Sequence, residues 1–345
     1  MFEPKPIEDF DGSRVNSLGA SDMPTLALLN KRWGQTPYTL WQEKTGRAEP
    51  FRGNNRTYWG HMLEGLVLRQ FVKNHDLASP TGFYMAYLAR KYRARRNIRI
   101  YTEFRHPDYP WAMSHPDLVV LGDVPRIQEA KTAGFFGARR DDDPDFGYSD
   151  EDFSQNGIPA AVFLQVQWQL FTAGIREGGV SLLADTANYR EYGPIIADPR
   201  TQEKLLALGE RFMWHVEHDE PPKPEIWADV VSLYPEVEET TAMVGGDELS
   251  MATQMIAEYH DAASKIKKLE ARREEVKNAL GLWIGGNKIL VSSEGAKLAS
   301  QGKVSSEYFD LKKLRTEKPE TYEELKAAGF VNEKSWRNLY ISKLK

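Results

Sequence analysis

Leu63, Val67 and Phe71 recur four residues apart, and this spacing predicts a helix over about Tyr58–Asn74. An apolar stretch from Met23 to Leu29 follows Ser21 and Asp22, whose oxygens suit a cap, so a helix is expected to start near Ser21. Pro37–Lys44 reads as another helix, stopped at Gly46. From Gly82 to Asp123 the period falls to two. Tyr84, Ala86 and Leu88 alternate, as do Ile98, Ile100 and Thr102, which predicts several antiparallel strands. Leu118–Leu121 and Arg126–Ala133 are the next strands, joined by Gly-Asp-Val-Pro at 122–125. Helical spacing returns over Ile158–Ala173, with Ala161, Leu164, Trp168 and Phe171 on the buried face. A strand at about Gly179–Asp185 and a helix at about Asp198–Asp219 follow. Helices, a central mixed sheet and further helices define a mixed α/β (α+β) fold over residues 1–235.

Residues 235–247 are acidic and glycine-bearing and read as a linker. Beyond them Met255, Tyr259, Ala262, Ile266, Leu269, Val276 and Leu280 fall close to a heptad seam, interrupted by Arg273. Residues 248–345 are therefore expected to hold a long C-terminal helix and a small terminal module with an extended stretch at Lys288–Ser292.

Composition narrows the function classes. With 41% hydrophobic and 28% charged residues the chain is ordinary for a soluble protein. Its net charge of −5 confines any nucleic-acid contact to a local basic groove or patch. The absence of cysteine excludes disulfides, thiolate zinc sites and iron–sulfur clusters. The first residues, MFEPKPIEDFDG, lack the apolar core of a signal peptide, and no run reaches the roughly 18–20 apolar residues of a membrane span. The expectation is a cytoplasmic protein with no membrane partner. No nucleotide-binding glycine loop and no serine nucleophile elbow is present.

The chemistry concentrates in SHPDLVVLGDVPRIQEAKTAG, residues 114–134. Strand alternation puts Ile127, Glu129 and Lys131 on one face, and folding at 122–125 brings Asp117 toward Glu129. Two carboxylates beside a lysine make a hard-oxygen site suited to Mg²⁺, which polarises a phosphoryl oxygen and acidifies bound water. The ammonium of Lys131 suits stabilisation of hydroxide or of transition-state charge. Taken alone, a Glu-x-Lys on a strand is more often a solvated surface pair. The Pro-Asp and the hairpin spacing distinguish this one.

Pro116-Asp117…Glu129-Ala130-Lys131 resembles the PD-(D/E)XK nuclease signature. LGASD at 18–22, TPYTLWQEKTG at 36–46, YWGHMLEGLVLRQF at 58–71, LQVQWQLFTAG at 164–174 and EYFDLKKLRTEKPETYEEL at 307–325 resemble, in order, the lambda-exonuclease-like branch and its YqaJ-type viral recombinases. The resemblance implies a restriction-endonuclease-like core that degrades linear double-stranded DNA 5′ to 3′ with Mg²⁺ (Mn²⁺ substituting) and leaves 3′ tails for a single-strand annealing protein. It implies a phage or prophage origin in a bacterial cytoplasm and a ring-like homotrimer as the oligomeric expectation. Asp117, Glu129 and the Ala130 carbonyl would ligate the metal, Lys131 would stabilise charge, Glu64 would hold metal-bound water, and Gln165 would orient active-site groups or a phosphate. Relatives often place a tyrosine four residues after that glutamine, where this chain has Gln169. Arg14 and Ser21 match the arginine–serine spacing that anchors a 5′-phosphate in lambda-type enzymes, a plain helix cap being the alternative for Ser21. The family's hydroxyl before Pro-Asp is replaced by His115, with Ser114 displaced by one.

Other features carry two readings each. In KYRARRNIR at 91–99, Lys91, Arg93 and Arg95 share a strand face that either follows a DNA backbone or protects a sheet edge. Trp33, Tyr38 and Trp41 read as core aromatics before base-stacking ones. His61 stands beside Glu64, while His215 and His218 read as a polar helix surface. Residues 141–152 hold seven acids and read as a mobile loop, either at a channel rim or ordered only on partner binding. A restriction- or repair-type endonuclease and a non-catalytic DNA-binding assembly protein are the alternative functions.

Overall fold

Apolar residues that alternate along a strand and repeat every third or fourth position along a helix can be buried together only in layers, and the chain builds such layers around one sheet. The structure, a computed structural model, describes residues 16–48, 55–75, 103–120, 124–134, 152–153, 157–184, 188–237, 239–303, 305, 309–332 and 337–342. The chain divides into two compact units, Met1–Pro235 and Glu236–Lys345.

In the first unit, β1 (Phe104–Arg105) and β2 (Met113–Ser114) form a short antiparallel pair. The main sheet runs β3-β4-β5-β6, from β3 (Leu118–Val120), β4 (Arg126–Ala133), β5 (Glu177–Ala184) and β6 (Asn188–Ile196). β4 and β5 are parallel, and the outer pairs are antiparallel. The strands expected across 82–102 lie outside the described residues, as do most of the acidic loop and residues 122–123 of the expected turn.

Among the described residues six α-helices accompany these strands: α1 (Met23–Leu26), α2 (Pro37–Lys44), α3 (Asn55–Asn74), α4 (Ala160–Ala173), α5 (Pro199–Glu217) and α6 (Trp227–Leu233). Val67, Leu68 and Phe71 of α3 pack on Leu118, Val120 and Ala130. On the other face of the sheet, Val162, Val166 and Leu170 of α4 pack on Ile127, Val180 and Leu182. The far side of α4 is covered as well. Trp168 has no exposed surface and packs with Leu18, Met23, Leu40, Trp41 and Phe212. The single buried face expected for α4 is thus corrected: it is a central helix, buried on two sides.

The indole of Trp168 donates to the Met113 carbonyl at 3.1 Å and to that of Leu18 at 3.4 Å. These bonds and the Leu18–Ala112 bridge tie the N-terminal segment to β2. α1 is shorter than its apolar stretch predicts, because Leu28 takes a left-handed φ of 61° and the chain turns away. Ser21 does not cap it. Asp22 holds the cap position and accepts from the Gly19 amide at 2.9 Å.

In the first unit, β6 and α6 carried no sequence expectation. Strand β6 is joined to the sheet side chains through Tyr189, whose hydroxyl donates to Ser181 at 3.1 Å. Helix α6 is docked by Asp229, fully buried, which accepts from the Thr36 hydroxyl at 3.0 Å and from the Glu225 amide at 2.8 Å.

The second unit holds α7 (Gly246–Ile284), the antiparallel pair β7 (Ile289–Val291) and β8 (Lys297–Ser300), then α8 (Leu311–Glu317) and α9 (Pro319–Ala327). Among the described residues no helix is long and apolar enough to cross a membrane.

Gly209 of α5 lies against the Trp111 ring, and an added Cβ would stand 2.7 Å from two ring carbons. Alanine in a helix interior is worth about 1 kcal/mol over glycine, whereas overpacking costs about 1–3 kcal/mol. A Gly209→Ala variant is expected to melt a few degrees below the parent in calorimetry. A rise would mean that the indole moves aside freely.

Candidate active site

Register brings the strand carboxylates together. Leu118 pairs with Gln128, which sets Asp117, one residue earlier, beside Glu129. The Ala130 amide donates to Asp117 Oδ2 at 2.8 Å and fixes that carboxylate. Glu129 is 2% exposed, with Lys131 Nζ at 2.6 Å from its Oε1. Glu64 reaches the same place from α3, on the opposite face of the sheet from α4, and Gly60, one turn earlier, lies near Thr132 of β4.

Helix α4 supplies two further donors. Gln165 Nε2 stands 2.6 Å from Glu129 Oε1, and Gln169 Nε2 stands 2.7 Å from Oε2. Both glutamines therefore grip the strand carboxylate. Gln169, which sequence reasoning treated only as a departure from a tyrosine, is the partner it missed. Its signal was present, since residues four apart share a helix face.

The carboxyl of Asp117 is held well above the usual carboxylate range. Burial is the largest cause, followed by repulsion from Glu129 and Glu64, while Lys131 and the Ala130 amide act in the opposite sense. Two neighbouring acids thus oppose the ionisation of Asp117, and the site is short of positive charge. Glu64 Oε1 is moreover buried without a hydrogen-bond partner. A carboxylate offers about four lone-pair sites, and Glu129 uses three of them on Lys131, Gln165 and Gln169. The donor set is hard oxygen throughout and fits a divalent cation of the Mg²⁺ class. Among the described residues no three His, Asp or Glu side chains already form a closed cage, so the fit lies in chemistry and charge.

The remaining candidates divide. His61 is exposed, with Nδ1 at 3.5 Å from Glu64 Oε2. His115 is half-buried, with Nε2 at 3.2 Å from Glu103 Oε2. Ser114, a candidate phosphate contact, is fully buried, and its hydroxyl meets that of Thr172 at 2.6 Å. Ser21 is exposed on a turn, and the anion site expected at a helix start there loses its helix, which has only four residues. Arg14, Arg93 and Arg95 lie outside the described residues. Tyr38 and Trp41 are buried core aromatics, and Trp33 is half-buried with Arg32 over its ring at 4.3 Å. His215 and His218 bond to main-chain carbonyls and His218 stacks on Trp214, as a polar helix surface requires.

Residues 9–176 match the family model of the YqaJ-like viral recombinase domain. Among solved structures, the alkaline exonuclease LHK-Exo of Laribacter hongkongensis is similar at 14% identity and a TM-score of 0.40, covering 61% of this chain and 93% of that one. Its complex with dAMP gives a TM-score of 0.42 at the same identity and coverage. The protein SSO0001 gives 0.30 at 14% identity, over 58% of this chain and 76% of that one. No curated protein matches the chain.

Removing one of the opposed charges should relieve the site. Asn at position 117 still accepts from the Ala130 amide but no longer repels Glu129 and Glu64. A raised native pKa means that the folded state holds the proton longer, so the penalty is full above the native value and vanishes below the unfolded one. Without divalent cations, Asp117→Asn is expected to melt a few degrees above the parent at neutral pH, and the gap should close as pH falls into the carboxylate range. An equal or lower melting temperature at neutral pH would contradict the opposed-charge reading.

Proposed function

Given that residues 9–176 carry a YqaJ-like viral recombinase domain, we propose that the chain is a metal-dependent exonuclease acting in DNA recombination. The observation that carries this reading is the convergence of Asp117, Glu129 and Lys131 on one pair of strands, with Glu64 entering from α3 and two glutamines holding Glu129. In this reading Asp117, Glu129 and the Ala130 carbonyl hold Mg²⁺ (or Mn²⁺). When bound, the ion supplies Lewis acidity to a phosphoryl oxygen and lowers the pKa of water.

The chain's own groups do the rest. Glu64 offers a buried, unpaired acceptor oxygen to the attacking water. Lys131 places a fixed cation beside the strand carboxylates and stabilises the charge that grows on the phosphate oxygens as water attacks. Gln165 and Gln169 keep Glu129 from turning away. Water adds to phosphorus, the bond to the 3′ oxygen breaks, and the released nucleotide keeps a 5′-phosphate.

The substrate in this reading is linear duplex DNA, digested from the 5′ end to leave a 3′ tail for a single-strand annealing protein in a bacterial cytoplasm. Tyr58 and Trp59, exposed on the helix that carries Glu64, are suited to stacking on bases near the DNA end.

The test is digestion of 5′-phosphorylated linear duplex with Mg²⁺, with closed circular DNA alongside. The parent is expected to shorten one strand progressively and to leave circles intact, and a chelator should stop it. Lys131→Ala should lose about 10²–10³-fold in rate while still binding duplex, its fold checked by circular dichroism. Opening of closed circles would point to an endonuclease instead. Digestion at the parent rate by the Lys131 variant would remove that residue from the chemistry.

A further inference from the structure

The second unit has little interior of its own: among its described residues Ile284 is the one hydrophobic side chain that is fully buried. A unit of this size with so small a core falls short of what folding requires unless another surface covers it. The exposed apolar side chains are not scattered. Met255, Tyr259, Ile266, Leu269, Val276 and Trp283 of α7 are each between 43% and 74% exposed. With Ala252, Ala262, Arg273 and Leu280 between them, they keep alternating steps of three and four from Ala252 to Trp283. That 3.5-residue period belongs to a helix that packs along its length against another helix.

The order of large and small residues says which helix. Reversed upon itself about a centre between Lys267 and Lys268, the seam sets Ile266 against the partner's Leu269, Tyr259 against the partner's Val276 and Met255 against the partner's Leu280. The two misfits are matched in the same register. Arg273 faces the partner's Ala262, which leaves room for its long side chain to leave the seam, and Trp283 faces the partner's Ala252. A parallel pair would instead trap Arg273 against the partner's Arg273, two cations in one apolar layer. The flanking charges are tolerable. Lys265 lies beside the partner's Arg272, but each cation is paired on its own helix, Lys265 with Asp261 at 2.6 Å and Arg272 with Glu275 at 2.9 Å.

We propose that α7 is an assembly element that pairs with α7 of a second copy of this chain as an antiparallel coiled coil. The inference rests on the second unit alone and stands independently of the nuclease chemistry.

Light scattering on the full chain, joined to size-exclusion chromatography, tests it. The expected mass is an even number of chains, two for a simple pair or six where α7 joins two ring-like trimers, and Leu269→Asp, at a position exposed in the single chain, should halve that mass without loss of helix content. An odd number of chains, or an unchanged mass in the variant, would overturn the pairing. The chain has no native cysteine, so engineered ones report register cleanly. Tyr259→Cys with Val276→Cys should yield covalent dimers on mild oxidation. Tyr259→Cys alone should not, because the two copies would lie about 25 Å apart at 1.5 Å per residue. Crosslinking of the single variant would mean a parallel seam and would overturn the proposal.

Discussion

A carboxylate with almost no exposed surface is costly unless its environment answers it, and Glu129 sets that condition for the first unit. Taking an ion out of water costs several kcal/mol after relaxation. Lys131 supplies the countercharge from the same strand, and Gln165 and Gln169 supply two donors from α4. The strand and the helix are therefore fixed to each other by a polar lock set among apolar contacts. Hydrophobic residues of equal volume would hold the two elements at least as well. The arrangement is thus poorly explained as a stabilising device and well explained as a reactive one.

The layers show how the lock is kept in place. α4 is packed on the sheet by Val162, Val166 and Leu170, and on its other side by the cluster around Trp168, so it has little freedom to rotate. Its glutamines are consequently presented to Glu129 by a helix fixed from both sides. Asp117 is set independently, by the β3–β4 register and the Ala130 amide. Glu64 arrives on a third element, α3, held by Val67, Leu68 and Phe71. Three separately anchored elements thus meet at one group of acids, and the repulsion among those acids is sustained by packing around them.

Much of this was legible in the sequence where the signals were local. Pro37–Lys44 has a Thr36 cap and a proline at its start, and the helix occupies those residues. Arg126–Ala133, expected as the strand after the turn, forms a strand over those residues. Signals that depend on distant partners were not legible. β6 reads as a polar run because most of its side chains are partly or fully exposed. α6 is pinned by the contact of Asp229 with Thr36, far away in the chain. Ser114 read as the family's hydroxyl displaced by one residue, yet its hydroxyl bonds to that of Thr172 of α4. Ser21 looked like a cap, but the backbone turn at Leu28 leaves too little helix behind it. Gln169 is the instructive case: its identity departs from the tyrosine of the resembled family, while its position on the face of Gln165 points to Glu129.

The account comes down to whether the opposed acids around Asp117 and Glu129 receive a divalent cation. Calorimetric titration of the chain with Mn²⁺, in the absence of DNA, measures this directly. The expected result is saturable binding that disappears in Glu129→Gln, with the melting temperature of the parent, and not of the variant, rising as the metal is added. Absence of binding in the parent, or binding that Glu129→Gln leaves unchanged, would contradict it.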